Sequence, residues 1–158
     1  MTRTPLYLIG AAIVVGGLAY LTFRSHRVAT DGLPTRIECK GGEAEALALA
    51  GPRGIPILGT GSMAPFIPPA PKGQNPKTTV VAYAVMESAA SYSDIQAGDL
   101  CIYQPEFYPG LVIHQAVKRD GLGWIMSGLN NPRSESGWRV TSTNFRGIVA
   151  RVYVWPLK

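Results

Sequence analysis

A chain of 158 residues with 15 Lys and Arg against 10 Asp and Glu, net charge +5, has room for one domain and an appendage. Its basic residues are scattered, with no stripe and no interleaved aromatics, which argues against a nucleic-acid partner and suits a membrane surface better. Two cysteines, Cys39 and Cys101, and two histidines do not supply the converging ligands of a structural zinc site. The cysteines suit either a single disulfide in an oxidising compartment or two separate small apolar side chains.

After a short flank, residues 1–4, the first element is PLYLIGAAIVVGGLAYLTF, residues 5–23, which has 19 positions without a charge. A helix rising about 1.5 Å per residue over that length comes close to crossing a bilayer core of about 30 Å. The run exceeds the h-region of a cleaved signal and ends without a small-x-small cleavage site, so it reads as an uncleaved single-pass anchor. Tyr7 and Tyr20 stand near its ends, where amphipathic rings settle at the interface. Arg3 precedes it, and Arg24, Arg27 and Arg36 follow, a distribution that leans towards a cytoplasmic C-terminal domain. Residues 24–54 read as a linker punctuated by Gly and Pro. Within it Glu43 to Ala50 are strong helix formers, with Gly51 placed to cap a short helix.

From residue 55 to 158 the pattern is β. TTVVAYAVM (78–86), DLCIYQP (99–105), GLVIHQAV (110–117), GWIMSG (123–128) and RGIVARVYVW (146–155) are apolar or alternating runs separated by Gly, Pro, Asn and Asp. Short strands at this spacing predict a mainly β, antiparallel closed or folded sheet, and no βαβ rhythm is present. Asp120-Gly121 marks a hairpin between the strands of His114 and Trp124.

Two residue types carry chemistry. Ser62 lies in GTGSMAPFIPP, residues 59–69, flanked by Gly61 and stiffened by Pro65, Pro68 and Pro69. A serine hydroxyl needs a base to take its proton and donors to hold the oxyanion that follows. Thr60 offers a second hydroxyl beside it. His114 sits inside an apolar strand, where an imidazole needs a partner, and it is the best-suited general base in the chain. A hydrogen-bonded core histidine is the plainer alternative. Lys118, four residues on, would share the face of His114 on a flat strand, but beside Arg119 and Asp120 it reads as solvated. His26, among arginines after the anchor, reads as an interface residue.

GTGSMAPFIPP, IQAGDLCIY, GLVIHQAV and SGLNNPRSESG resemble, in order and character, the boxes of type I signal peptidases: a Ser-Met-x-Pro box, a Gly-Asp strand entry, a base-bearing strand and a Gly-Asp-Asn box. The resemblance spans most of residues 57–149. It implies a β domain of the kind shared with self-cleaving repressors, one N-terminal transmembrane helix, and serine endopeptidase activity on exported or membrane-associated polypeptides. VIHQAV is similar to the histidine branch, archaeal and endoplasmic-reticulum, with Gln115 in place of the usual arginine. By that resemblance Ser62 is the nucleophile, His114 the base and Thr60 an oxyanion-hole residue. Ungapped counting puts Glu135 where an acid orients the base; the alternative for Glu135 is a solvated turn carboxylate. No metal or organic cofactor is implied, and the catalytic domain is expected outside the cytoplasm, against the lean of the flanking charges. Leu129 stands where the family has aspartate, and Phe66 where it has threonine. Those departures, with the insertion between Ser62 and Gly98, motivate a second reading: an inactive tethered accessory protein of an export or assembly complex. Self-cleaving repressors are a more distant third, since they use lysine and a DNA-binding domain.

In the insertion, PPAPKGQNPK (68–77) reads as a surface loop. The segment 78–94 reads as an added strand or an altered substrate edge, since peptides bind such proteases by strand addition. Met63, Phe66 and Ile67 suit an apolar floor to the cleft, a lipid-dipping surface, or the core.

Overall fold

The computed structural model describes residues 32–131 and 135–157, the side chains of 135–137 excepted. The expected anchor at 5–23 lies outside the described residues. Among those described, no helix is long and apolar enough to cross a membrane.

Among the described residues there are nine regular elements of four residues or more: β1 (Thr35–Glu38), α1 (Glu43–Ala50), β2 (Ile55–Leu58), β3 (Val80–Met86), β4 (Leu100–Tyr103), β5 (Val112–Asp120), β6 (Gly123–Ser127), β7 (Glu135–Val140) and β8 (Phe145–Val154). The eight strands make one sheet in the order β2-β3-β8-β4-β5-β6-β7, with β1 attached to β8. All pairings are antiparallel except β1 with β8. β8 is the shared strand. Its first half pairs with β4, and its second half lies between β3 and β1.

The five runs read as strands all form strands. The segment read as a linker does more than connect: Thr35–Glu38 pairs in register with Arg151–Val154, so the sheet begins well before residue 55. Four residues with one apolar side chain between polar ones carry too little alternation to announce a strand. The short helix forms over Glu43–Ala50, and Gly51, at φ 65°, donates its N–H to Leu47 O. Only Ala46 and Ala50 of α1 are buried, while Leu47 and Leu49 face out. The small side chains let the helix lie close to Tyr83, Tyr153 and Trp155, and the Tyr83 hydroxyl donates to Glu43 at 3.0 Å.

Side chains alternate across β4. Leu100 and Ile102 enter the larger core with Val81, Ala84, Val152 and Val154, whereas Cys101 and Tyr103 join Trp124, Met126, Val140 and Ile148 in a second one. Each fully buried aliphatic side chain contributes about 1.5–3 kcal/mol of apolar transfer. Met63 and Ile67 are buried in the larger core, which settles those two as core residues, and Phe66 is partly buried against it. β3 has β2 on one side and β8 on the other, so the added strand is an interior one and offers no free substrate edge. Cys39 and Cys101 are both buried, unpaired and in different clusters. The disulfide alternative is therefore set aside.

The β5–β6 hairpin turns through Gly121 and Leu122. The Asp120 carboxylate accepts the Leu122 N–H at 2.9 Å and takes two bonds from Arg139, which hold it below the usual carboxylate range. Ahead of this turn the register shifts by one residue between Ala116 and Lys118. The extra residue, Val117, reverses the alternation beyond it. Lys118 thus leaves the face of His114 and is exposed, contrary to the flat-strand expectation.

Candidate functional site

The loop leaving β2 is pinned at its neck. Gly59 N–H donates to Thr79 O, and Ala70 N–H returns to Gly59 O at 2.9 Å. A Cβ on Gly59 would lie 2.4 Å from the Ala70 nitrogen and 2.7 Å from Val81 Cγ1, so only glycine lets the two sides approach. Inside the loop Gly61 takes φ +83°, and the turn closes with Ala64 N–H on Gly61 O and Ile67 N–H on Met63 O. With Met63 and Ile67 anchored in the core, Ser62 is left at the turn's apex, half-buried. Arg36 of β1 braces the far side by donating from Nε to Phe66 O at 2.9 Å.

The segment after β6 holds the same loop from the other direction. Asn130 N–H donates to Ser62 O at 2.9 Å, and its Nδ2 reaches Gly61 O at 3.2 Å. A Cβ on Gly128 would lie 2.6 Å from Ser62 O. Leu129, in the place of the expected acid, is partly buried and packs against the larger core. The Gly-Leu-Asn box thus acts as a clamp on the serine turn, a role that its amides and its lack of a side chain perform without the aspartate.

His114 comes from the middle of β5, directly opposite Cys101 of β4 and diagonal to Tyr103. It is 6% exposed and is the one buried polar or charged side chain among the described residues. Its Nε2 stands 3.3 Å from Ser62 Oγ, and Ser62 Oγ stands 3.3 Å from Thr60 Oγ1. The Tyr103 hydroxyl is 3.3 Å from the other ring nitrogen, Nδ1. Four side chains from three parts of the chain form one continuous polar string, Thr60–Ser62–His114–Tyr103. Burial pushes the imidazole down to about 4, because the charged form loses its hydration there. The neighbouring Cys101 thiol is pushed up to about 12 by burial and then by Asp99.

Of the four residues singled out from sequence, Ser62, His114 and Thr60 come together. The fourth, Glu135, opens β7 with its backbone opposite Met126, and its side chain lies outside the described residues. Sequence alone assigns no role to Tyr103, and places Asn130 only within the last of the four boxes. Tyr103 reads as one more apolar residue of IQAGDLCIY, and only the β4–β5 register reveals that it is diagonal to His114. Gln115 donates to Gly98 O at 3.1 Å and secures the turn into β4.

A hydroxyl beside a neutral imidazole, with a second hydroxyl at its flank, is a set of groups suited to acyl transfer. No family model, curated protein or solved structure matches the chain.

Proposed function

We propose that the protein is a membrane-anchored serine endopeptidase resembling signal peptidase, which cleaves exported or membrane-associated polypeptides with its catalytic domain outside the cytoplasm. The 3.3 Å approach of His114 Nε2 to Ser62 Oγ, across 52 positions of sequence, carries the reading. Nothing in a linker or a packed core requires the buried imidazole of His114 to meet a glycine-flanked serine.

In this reading the Ser62 hydroxyl donates to Nε2, and its oxygen attacks the scissile carbonyl as the proton moves to His114. The negative charge that develops on the carbonyl oxygen is met by the Thr60 hydroxyl and the Ser62 N–H, for which no acceptor is present among the described residues. The imidazolium then protonates the leaving amine, and water, activated by the same nitrogen, hydrolyses the acyl-enzyme. These steps need no metal or organic cofactor. The burial that lowers the imidazole keeps it neutral, and so ready as a base, at any pH well above 4.

The test uses the full chain in detergent micelles with a polypeptide carrying an exported-protein leader. Ser62→Ala and His114→Ala each abolish cleavage while circular dichroism and thermal unfolding remain those of a folded β protein. Full activity in either variant removes the assignment. A serine-directed acylating probe separates the accessory-protein alternative, motivated by Leu129, because that protein leaves Ser62 unlabelled.

A further inference from the structure

We propose that Tyr103 is the positioning residue of this site: its hydroxyl accepts the Nδ1–H of His114 and so fixes the tautomer whose bare Nε2 faces Ser62. The inference rests on the reading of Ser62 and His114 given above and deepens it.

Geometry supplies the first ground. Cys101 is directly opposite His114, so Tyr103, two residues further on, projects from the same face of the sheet at the diagonal position. The two rings lie 6.4 Å apart at 55°, and the hydroxyl meets Nδ1 at 3.3 Å. Tyr103 is completely buried and His114 almost so. A phenol and an imidazole removed from water need polar partners, and each stands at hydrogen-bond distance from the other. The strand pairing thus places an oxygen that can accept the Nδ1–H of His114.

Chemistry supplies the second. A neutral imidazole carries one N–H, and a base facing a serine must carry it on the far nitrogen. With the phenol oxygen accepting at Nδ1, Nε2 is left with its lone pair on the Ser62 hydroxyl. During reaction the Ser62 proton moves to Nε2 and the Nδ1–H stays where it is, now a stronger donor to a neutral oxygen. A phenol differs here from a carboxylate. It orients the ring without adding a negative charge, so it does not work against the burial that keeps the ring uncharged.

The experiment reads the tautomer directly. The full chain is labelled with ¹⁵N-histidine in micelles at neutral pH, and long-range ¹H–¹⁵N correlations identify the protonated nitrogen. The chain holds two histidines, and the signal lost in His114→Gln assigns the relevant one. Wild type is expected to show Nδ1 protonated and Nε2 bare. Tyr103→Phe, which retains the ring and removes only the oxygen, is expected to raise the Nε2–H population. It should also lower kcat by about 10- to 100-fold at unchanged KM, part of the ~10²–10⁴-fold that general-base catalysis supplies. A wild-type ring protonated at Nε2, or an unchanged tautomer balance in Tyr103→Phe, overturns the proposal. So does a balance that responds to Glu135→Gln and not to Tyr103→Phe. The spectra decide the matter even where no peptide is cleaved, so failure of the protease reading and failure of this inference are separate results.

Discussion

Lowering the pH from about 7 to about 4.5 should weaken the fold through His114. An unfolded histidine titrates near 6.5, whereas burial lowers this one to about 4. Between those values the unfolded chain binds a proton that the native chain refuses, so stability rises with pH across the window. The contribution is fully present above 6.5, is lost progressively as pH falls, and levels off below 4. The complete difference is worth about 3 kcal/mol, of which about 2.5 falls between pH 7 and pH 4.5. Urea unfolding of the full chain in micelles measures it. With an m-value of about 2 kcal/mol/M, the midpoint drops by about 1 M from this residue alone. His114→Gln removes the proton site, and carboxylates that titrate in the same range act equally in both proteins, so the difference between the two pH responses isolates the imidazole. The acid limb of kcat/KM should fall near the same value, around 4. Equal loss of stability in wild type and His114→Gln, or an acid limb near 6.5, refutes a buried neutral imidazole.

Gly128→Ala should disable the serine while sparing the sheet. The added methyl group would lie 2.6 Å from Ser62 O and 2.8 Å from the Asn131 side chain, so the serine turn must shift from its place beside Nε2. Loss of acylation at Ser62 by at least about 10-fold, with stability down by about 1–3 kcal/mol, is the expected pair of results; unchanged labelling contradicts the clamp. Both thiols should be silent in the native chain. Burial raises Cys39 and Cys101 above the ordinary thiol range, and Cys101 reaches about 12. A chromogenic thiol reagent is expected to react with neither until denaturant is added and then with both; rapid native reaction disproves the packing.

The parts legible in sequence are those with local causes. Gly51 after a run of helix formers predicts its helix end, and Val- and Ile-rich runs predict their strands, because propensity and alternation act over a few residues. Ser62, Thr60 and His114 were identifiable because a stiffened glycine–serine turn and a histidine in an apolar strand are unusual where they stand. The rest depends on register. The bulge at Val117 is invisible in VIHQAVKRD yet decides that Lys118 leaves the site. The phenol of Tyr103 gains its meaning from a residue 11 positions away on a neighbouring strand. β1 escaped notice because its pairing to β8 spans more than a hundred residues and its own sequence, TRIE, has almost no pattern.

β8 has a consequence for the order in which the molecule is made. The β2–β3 pair flanks the serine turn, the β4–β5 pair bears the imidazole, and in the hydrogen-bonded ladder the two pairs meet only through Phe145–Val154. Synthesis runs from N- to C-terminus, so Ser62 and His114 both leave the ribosome before the strand that aligns them. Until that strand docks, no ladder joins the hairpins that bear Ser62 and His114, so their 3.3 Å approach depends on the last strand of the sheet.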